Sequence, residues 1–207
     1  MKDRQDLCKL FESKNILGKG IEVGSYKGEF AKDILSNWKG KLYLIDVWNI
    51  QDSNEYNDIS NQKNYKEIFC SCMENVKSFE ERCFMIRSSS KNAVDLFDDE
   101  SLDFVYIDAN HKYDYINEDI NLWFPKVRKG GILSGHDYLK IDWYKDPNFD
   151  INGKDKFIWI NSNENMNNFN TFIGLFGVNP AVDEFCQKYN FTLNITDEWF
   201  GSWYIIK

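Results

Sequence analysis

Apolar positions along the chain recur in two alternating rhythms. Leu7, Leu10 and Phe11 share one face of a helix over residues 3–13. A short run from Ile21 to Val23 predicts a strand over 20–23, and it leads directly into Gly24-Ser25-Tyr26-Lys27-Gly28. Phe30, Ile34 and Leu35 then align on one face of a helix over 28–38. "KLYLIDVW", 41–48, is nearly continuous in apolar residues and short, the mark of a strand buried on both faces. A helical period returns at Tyr65, Ile68, Phe69, Cys72, Met73, Val76 and Phe79, within 63–81. Strands follow at 83–86, 102–108 and 130–135, the last opened by a Gly-Gly turn, with helices at 89–97 and 113–124 between them.

Strand and helix thus alternate five times. Short apolar strands alternating with helices predict an α/β fold, a doubly wound parallel sheet covered on both faces. Two stretches break the rhythm. Residues 50–62 are polar and predict a loop. Residues 138–172 are rich in Asn, Asp and aromatics and predict an irregular insertion, a substrate lid in a single domain of 1–207. A helix from Pro180 to Tyr189 and two strands, 191–195 and 202–207, close the chain as an antiparallel hairpin.

Bulk composition narrows the partners. The 207 residues suit one domain, and 43% hydrophobic with 28% charged content is that of a globular protein. A net charge of −8 and the lack of a basic stripe argue against nucleic acid. No apolar run reaches the length of a membrane span, and the first residues lack the apolar core of a signal peptide. Five cysteines without metal spacing fit a reducing compartment, so a cytoplasmic location is expected. The oligomeric state stays open.

Ligands of open parallel sheets bind beyond the carboxyl ends of the strands. The residues just past each expected strand are therefore the candidates: Gly24, Ser25 and Gly28; Asp46; Arg87, Ser88 and Ser89; Asp108, Asn110 and His111; His136 and Asp137. Both histidines of the chain are among them. An acid some twenty residues past a glycine turn, as Asp46 is, can accept hydrogen bonds from ribose hydroxyls. The turn itself reads E-x-G-x-x-x-G, not the dinucleotide fingerprint, so it leaves cofactor approach and plain turn-making both open.

"IEVGSYKGEFAKDIL", "LYLIDVW", "LDFVYIDANHKYDYINEDINLWFPKVRKGGILSGHDY" and "FGVNPAVDEF" resemble class I S-adenosylmethionine-dependent methyltransferases. The likeness is to the small-molecule and sugar O-methyltransferase branch, and more narrowly to the methyltransferase portion of chlorovirus glycan-building proteins, whose location would be the host cytoplasm. It covers residues 17–138 and 174–207. It implies a Rossmann-like seven-stranded sheet with an antiparallel last strand, S-adenosylmethionine as cofactor and a glycan or small-molecule acceptor. Glu22, Gly24, Ser25 and Gly28 would hold the methionine part, Asp46 the ribose, and Ser88 with its neighbours Arg87 and Ser89 the adenine side. Relatives often carry an acid in that last loop, and this chain does not. Asp108 would face both cofactor and substrate.

Some relatives hold a divalent cation, and the matching positions are Asp108, His136 and Asp137. Their usual pair is Asp-Asp or Asp-Asn, so His136 departs from it and shifts the expected ion from Mg²⁺ toward Mn²⁺. His111 stands at the offset where such relatives place a catalytic lysine, and its ordinary pKa suits a general base. The structural alternatives are loop hydrogen bonds for His136 and Asp137 and a helix cap for His111. Competing functions are a nucleotide-dependent oxidoreductase or epimerase and a noncatalytic cofactor-binding protein.

Overall fold

A computed structural model describes residues 1–13, 17–49, 64–139, 156–161, 170–198 and 200–207. In chain order the helices are α1 (Arg4–Ser13), α2 (Glu29–Asn37), α3 (Tyr65–Val76), α4 (Ser90–Ala93), α5 (Tyr113–Trp123) and α6 (Val178–Tyr189). The strands are β1 (Lys19–Val23), β2 (Lys41–Asp46), β3 (Cys83–Arg87), β4 (Leu102–Ile107), β5 (Val127–Leu139), β6 (Lys156–Asn161), β7 (Asn170–Phe176), β8 (Asn194–Ile195) and β9 (Phe200–Ile206). Seven of them form one sheet in the order β3-β2-β1-β4-β5-β9-β8. β1 to β5 run parallel, and β9 lies antiparallel between β5 and β8.

β1 and β4 are neighbours at the centre, and the strand order runs outward from them in opposite directions. That is the switch point of a doubly wound sheet, where a crevice opens beyond the carboxyl ends. Every side chain of β4 is buried, as it must be with helices on both faces. Alternate residues feed two cores. Phe104 and Tyr106 pack with α1, α2 and α3, while Val105 and Ile107 pack with α4, α5 and α6.

Three expectations need correction. β5 is more than twice as long as its apolar run suggested, because Gly130 does not open it. Gly130 (φ 73°) sits in an irregularity where β5 takes five steps, Val127 to Ile132, against two of β4, Leu102 to Phe104. The closing hairpin forms, but its first strand shrinks to Asn194–Ile195. Within the stretch expected as an irregular lid, Tyr138 and Leu139 belong to β5, and β6 and β7 pair antiparallel as a separate two-stranded sheet. The remainder, 140–155 and 162–169, lies outside the described residues, as does the loop expected over 50–62. No helix among the described residues is long and apolar enough to cross a membrane.

One buried acid ties α4 to α5. Asp119 is 6% exposed and accepts a hydrogen bond from Ser90, whose oxygen in turn accepts one from Trp123 Nε1 at 2.8 Å. Burial pushes the Asp119 carboxyl up to about 7, and the Ser90 bond offsets only part of this. The folded state therefore favours the neutral acid. Its contribution is fully present below the unfolded pKa and is lost as pH rises through about 7. Between pH 5 and pH 8 the group should cost the fold on the order of 2–3 kcal/mol. Urea unfolding of Asp119→Asn should show that much less loss over the same interval, and an unchanged pH dependence would contradict the assignment.

Candidate functional site at the carboxyl rim of the sheet

The turn after β1 is shaped by close contacts within the protein. Gly24 has φ 86°, and a Cβ there would lie 2.0 Å from the Asp108 carbonyl oxygen and 2.7 Å from Ala109 Cα. Its N–H donates to Ile45 O at 2.8 Å, while Asp108 N–H donates to Val23 O at 2.7 Å. The ends of β2, β1 and β4 are thereby tied together. Gly28 (φ 71°) precedes α2, and a Cβ there would come within 2.8 Å of Cys72 Sγ on α3. Both glycines are thus explained by neighbouring elements, β4 for one and α3 for the other.

Asp46, at the end of β2, clamps this turn. Its Oδ2 accepts the Tyr26 N–H at 2.9 Å and its Oδ1 the Trp48 N–H at 2.8 Å. Tyr26 (φ 48°) and Trp48 (φ 38°) both lie in the left-handed region, conformations that the clamp holds. Trp48 Nε1 donates to Tyr26 O at 2.8 Å and closes the loop. Burial raises the Asp46 pKa, and the backbone N–H bonds counter it. Each carboxylate oxygen keeps acceptor capacity beyond its one bond. From β3, Arg87 holds Val47 O and Trp48 O at 3.2 and 2.9 Å, and Ser88 N–H donates to Asp46 O at 3.0 Å. The Ser88 hydroxyl lies 3.1 Å from Ser89 O, and Ser89 caps α4 by accepting from Asn92 N–H.

Glu22 is the anomaly of the turn. It is 3% exposed, and its Oε2 has no hydrogen-bond partner among the described residues. Burial pushes its carboxyl up to about 8. Ser25, also buried, donates its hydroxyl to the Glu22 carbonyl at 3.3 Å. An orphaned carboxylate oxygen beside a glycine turn fits the ammonium end of an amino-acid-bearing ligand.

The second cluster assembles from β4, the segment before α5, and β5. Gly135 pairs with Trp203 and Tyr138 with Gly201, so β5 carries one extra residue across from Ser202. His136 and Asp137 occupy this bulge, and Asp137 has φ 60°, unusual for a residue with a side chain. The bulge turns Asp137 toward His111, whose Nε2 lies 2.9 Å from Asp137 Oδ2 and 3.9 Å from Asp108 Oδ1. His136 Nδ1 lies 3.4 Å from Asp137 Oδ1 and 4.0 Å from Asp108 Oδ2. Burial alone would lower the His111 pKa, but Asp137 and Asp108 reverse this and raise it to about 10. Burial opposes the charge of Asp137 as well, yet His111 and His136 hold its carboxyl far below the usual range. Burial and Asp137 pull His136 in opposite directions, with a net rise.

With its acids bare, His111 is therefore an imidazolium at neutral pH. The donor atoms of Asp108, His111 and Asp137 all lie within 4.8 Å of one another. Two carboxylates and an imidazole at this spacing suit a divalent cation of the Mn²⁺ or Mg²⁺ kind. His111 is the nitrogen of that trio, where the motif match had pointed to His136. The structure leaves His136 alongside it.

A sequence profile described as a methyltransferase domain matches residues 21–138, more than half of the chain. The chain belongs to this methyltransferase-domain family. A curated relative, an uncharacterized protein of Acanthamoeba polyphaga mimivirus, is 24% identical over 141 residues, which are 67% of this chain. The chain spans 59% of that relative's length. Among solved structures, it is similar to the O-methyltransferase TomG of Streptomyces achromogenes, involved in tomaymycin synthesis and solved with S-adenosylmethionine. The TM-score is 0.62 at 11% identity, covering 98% of this chain and 78% of TomG. An O-methyltransferase of Bacillus cereus, in complex with S-adenosylhomocysteine, gives a TM-score of 0.60 at 10% identity, covering 98% and 80%. At these identities the likeness is one of fold.

The methyltransferase domain also has polar groups at this rim that the sequence did not flag. Arg4 lies over the Phe30 ring, 5.0 Å from its centroid. Tyr106, Ser202, Glu198 and Thr196 form a network, with Tyr106 Oη 3.0 Å from Ser202 Oγ and Thr196 Oγ1 2.9 Å from Glu198 Oε1. Nothing in the periodicity marks them, since a charge on an amphipathic helix reads as a solvated face. The structural account of Gly24 is tested by Gly24→Ala. Strain and overlap with β4 should cost roughly 2–4 kcal/mol in a denaturant titration. Unaltered stability would mean that β1 and β4 do not approach this closely.

Proposed function

We propose that the chain is an S-adenosylmethionine-dependent O-methyltransferase acting on a hydroxyl of a sugar, glycan or similar small molecule, with a divalent cation beside the acceptor. The observation that carries this reading is the convergence of Asp108, His111 and Asp137 at the carboxyl ends of β4 and β5, next to the glycine turn of β1. Membership in a methyltransferase-domain family supports methyl transfer over nicotinamide chemistry. The two similar structures solved with S-adenosylmethionine or its demethylated product support the cofactor.

When bound, the cofactor supplies an electrophilic methyl on a sulfonium, open to direct displacement. A divalent cation held by the carboxylates of Asp108 and Asp137, with His136 alongside, would supply positive charge that lowers the acceptor hydroxyl's pKa and would leave the His111 lone pair free. Glu22 and Ser25, with the backbone of Gly24 and Gly28, hold the methionine part. Asp46 accepts from the ribose hydroxyls with the capacity its two backbone bonds leave, and Ser88, Arg87 and Ser89 border the adenine. Asp108 and Asp137 orient the acceptor, and His111 takes its proton once the charge of the two acids is offset. His136 supports Asp137 from the same bulge. The sugar acceptor rests on the resemblance of the "YIDANHKYDYINEDI" block to sugar-tailoring O-methyltransferases. The negative net charge favours an uncharged acceptor over a nucleic acid.

Calorimetric titration with S-adenosylmethionine and S-adenosylhomocysteine, with and without Mn²⁺ or Mg²⁺, should give micromolar binding. Folded protein that binds neither would overturn the reading. Replacing the proposed base, His111→Ala should lower turnover about 10²-fold or more while S-adenosylhomocysteine affinity holds within about twofold. Equal loss of both would make His111 structural.

A further inference from the structure

An acid and a base face the carboxyl rim with hydrogen-bonding capacity unused among the described residues. One is the Glu22 carboxyl, with its buried and unpaired Oε2. The other is the guanidinium of Arg4, the first residue of α1. Arg4 is half-buried, and its guanidinium forms no hydrogen bond or ion pair with any described residue. Its position is nevertheless fixed. The Asp197 N–H donates to both Met1 O and Lys2 O at 3.0 Å, which ties the start of α1 to the turn between β8 and β9. The Phe30 ring lies beneath the guanidinium, and Phe30 packs at 4.5 Å against Tyr106, two residues before Asp108 on β4. Tyr106, Asp108, Glu198 and Glu22 all act on Arg4 electrostatically, so the group stands within the field of the rim.

An exposed arginine at a helix start would extend into water, where its five donors are satisfied. Holding one half-buried, over a ring and unbonded to the acids among the described residues, leaves those donors open to a ligand. The rim also has a charge problem of its own. Glu22, Asp46, Asp108 and Asp137 crowd the ends of four adjacent strands, and a ligand carboxylate entering there is repelled. An amino acid end is a zwitterion, with an ammonium and a carboxylate about 3 Å apart, and it needs one group of each sign.

We propose that Arg4 is the specificity residue for the carboxylate of the cofactor's amino acid end, with Glu22 facing its ammonium. This rests on the cofactor reading above and adds to it a residue from outside the matched 21–138 segment. A guanidinium suits the role because its planar fork meets a carboxylate with two parallel hydrogen bonds. α1 thereby becomes part of the binding site as well as a cover for the core.

The test is calorimetry of the wild type, Arg4→Gln and Arg4→Lys with two ligands, S-adenosylhomocysteine and its decarboxylated amine. The wild type should bind S-adenosylhomocysteine at least tenfold more tightly than the amine. Arg4→Gln should weaken S-adenosylhomocysteine at least tenfold and leave the amine within about twofold, and Arg4→Lys should recover part of the loss. Circular dichroism checks that each variant folds, and the lysine variant alone decides if the glutamine variant does not. Equal weakening of both ligands, or of neither, would overturn the role of Arg4 while leaving the cofactor reading intact. A wild type that binds neither ligand would remove the cofactor reading and this proposal with it.

Discussion

The contact between Gly24 and the Asp108 carbonyl is the constraint on which the carboxyl rim depends. β1 and β4 lie side by side where the sheet reverses direction, and their ends come so close that a methyl group on Gly24 would sit 2.0 Å from Asp108 O. That closeness has two consequences. The Gly24 N–H is directed to Ile45, so β2 is drawn in and Asp46 can reach the backbone of the turn. The chain after β4 is also held at the centre of the rim, which brings Asp108 and His111 beside β5. A fold with a looser junction here would still have a sheet, but its acids would be scattered.

The rim gathers four acids, and each is accommodated by a different device. Asp46 has backbone N–H groups. Asp137 has imidazoles, reached because a bulge in β5 forces it into the left-handed region. Glu22 has the Ser25 hydroxyl, and burial still pushes it up to about 8. Asp108 shares His111 at 3.9 Å. Opposite charge is therefore supplied unevenly, and the proposed ligands answer to that: an ammonium at Glu22, a cation beside Asp108 and Asp137. Strain at Asp137 and the unpaired oxygen of Glu22 both cost stability, which is common where a site is prepared for a ligand.

Much of this was readable from the residues. The buried strands announce themselves as short apolar runs, and the position of Asp46 past a glycine turn was a sound guide to the end of β2. β5 was cut short because Gly130-Gly131 looks like a strand opener, while in the structure it is a local irregularity inside a longer strand. The bulge at His136 and Asp137 was not readable at all. A positive φ at an aspartate leaves no trace in periodicity, so the approach of His111 to Asp108 and Asp137 had to come from distances. Arg4 was invisible for a different reason: what marks it is the lack of a hydrogen-bond partner among the described residues, and sequence carries no record of partners.

The most direct test of the central claim is an electron paramagnetic resonance titration with Mn²⁺, comparing the wild type with Asp137→Asn. If the junction of β1 and β4 and the bulge of β5 together build one cation site, the wild type binds one Mn²⁺ per chain, and Asp137→Asn weakens it at least tenfold. A wild type that binds Mn²⁺ no better than Asp137→Asn would contradict the account, and the cluster would then be a set of hydrogen bonds that holds the rim together.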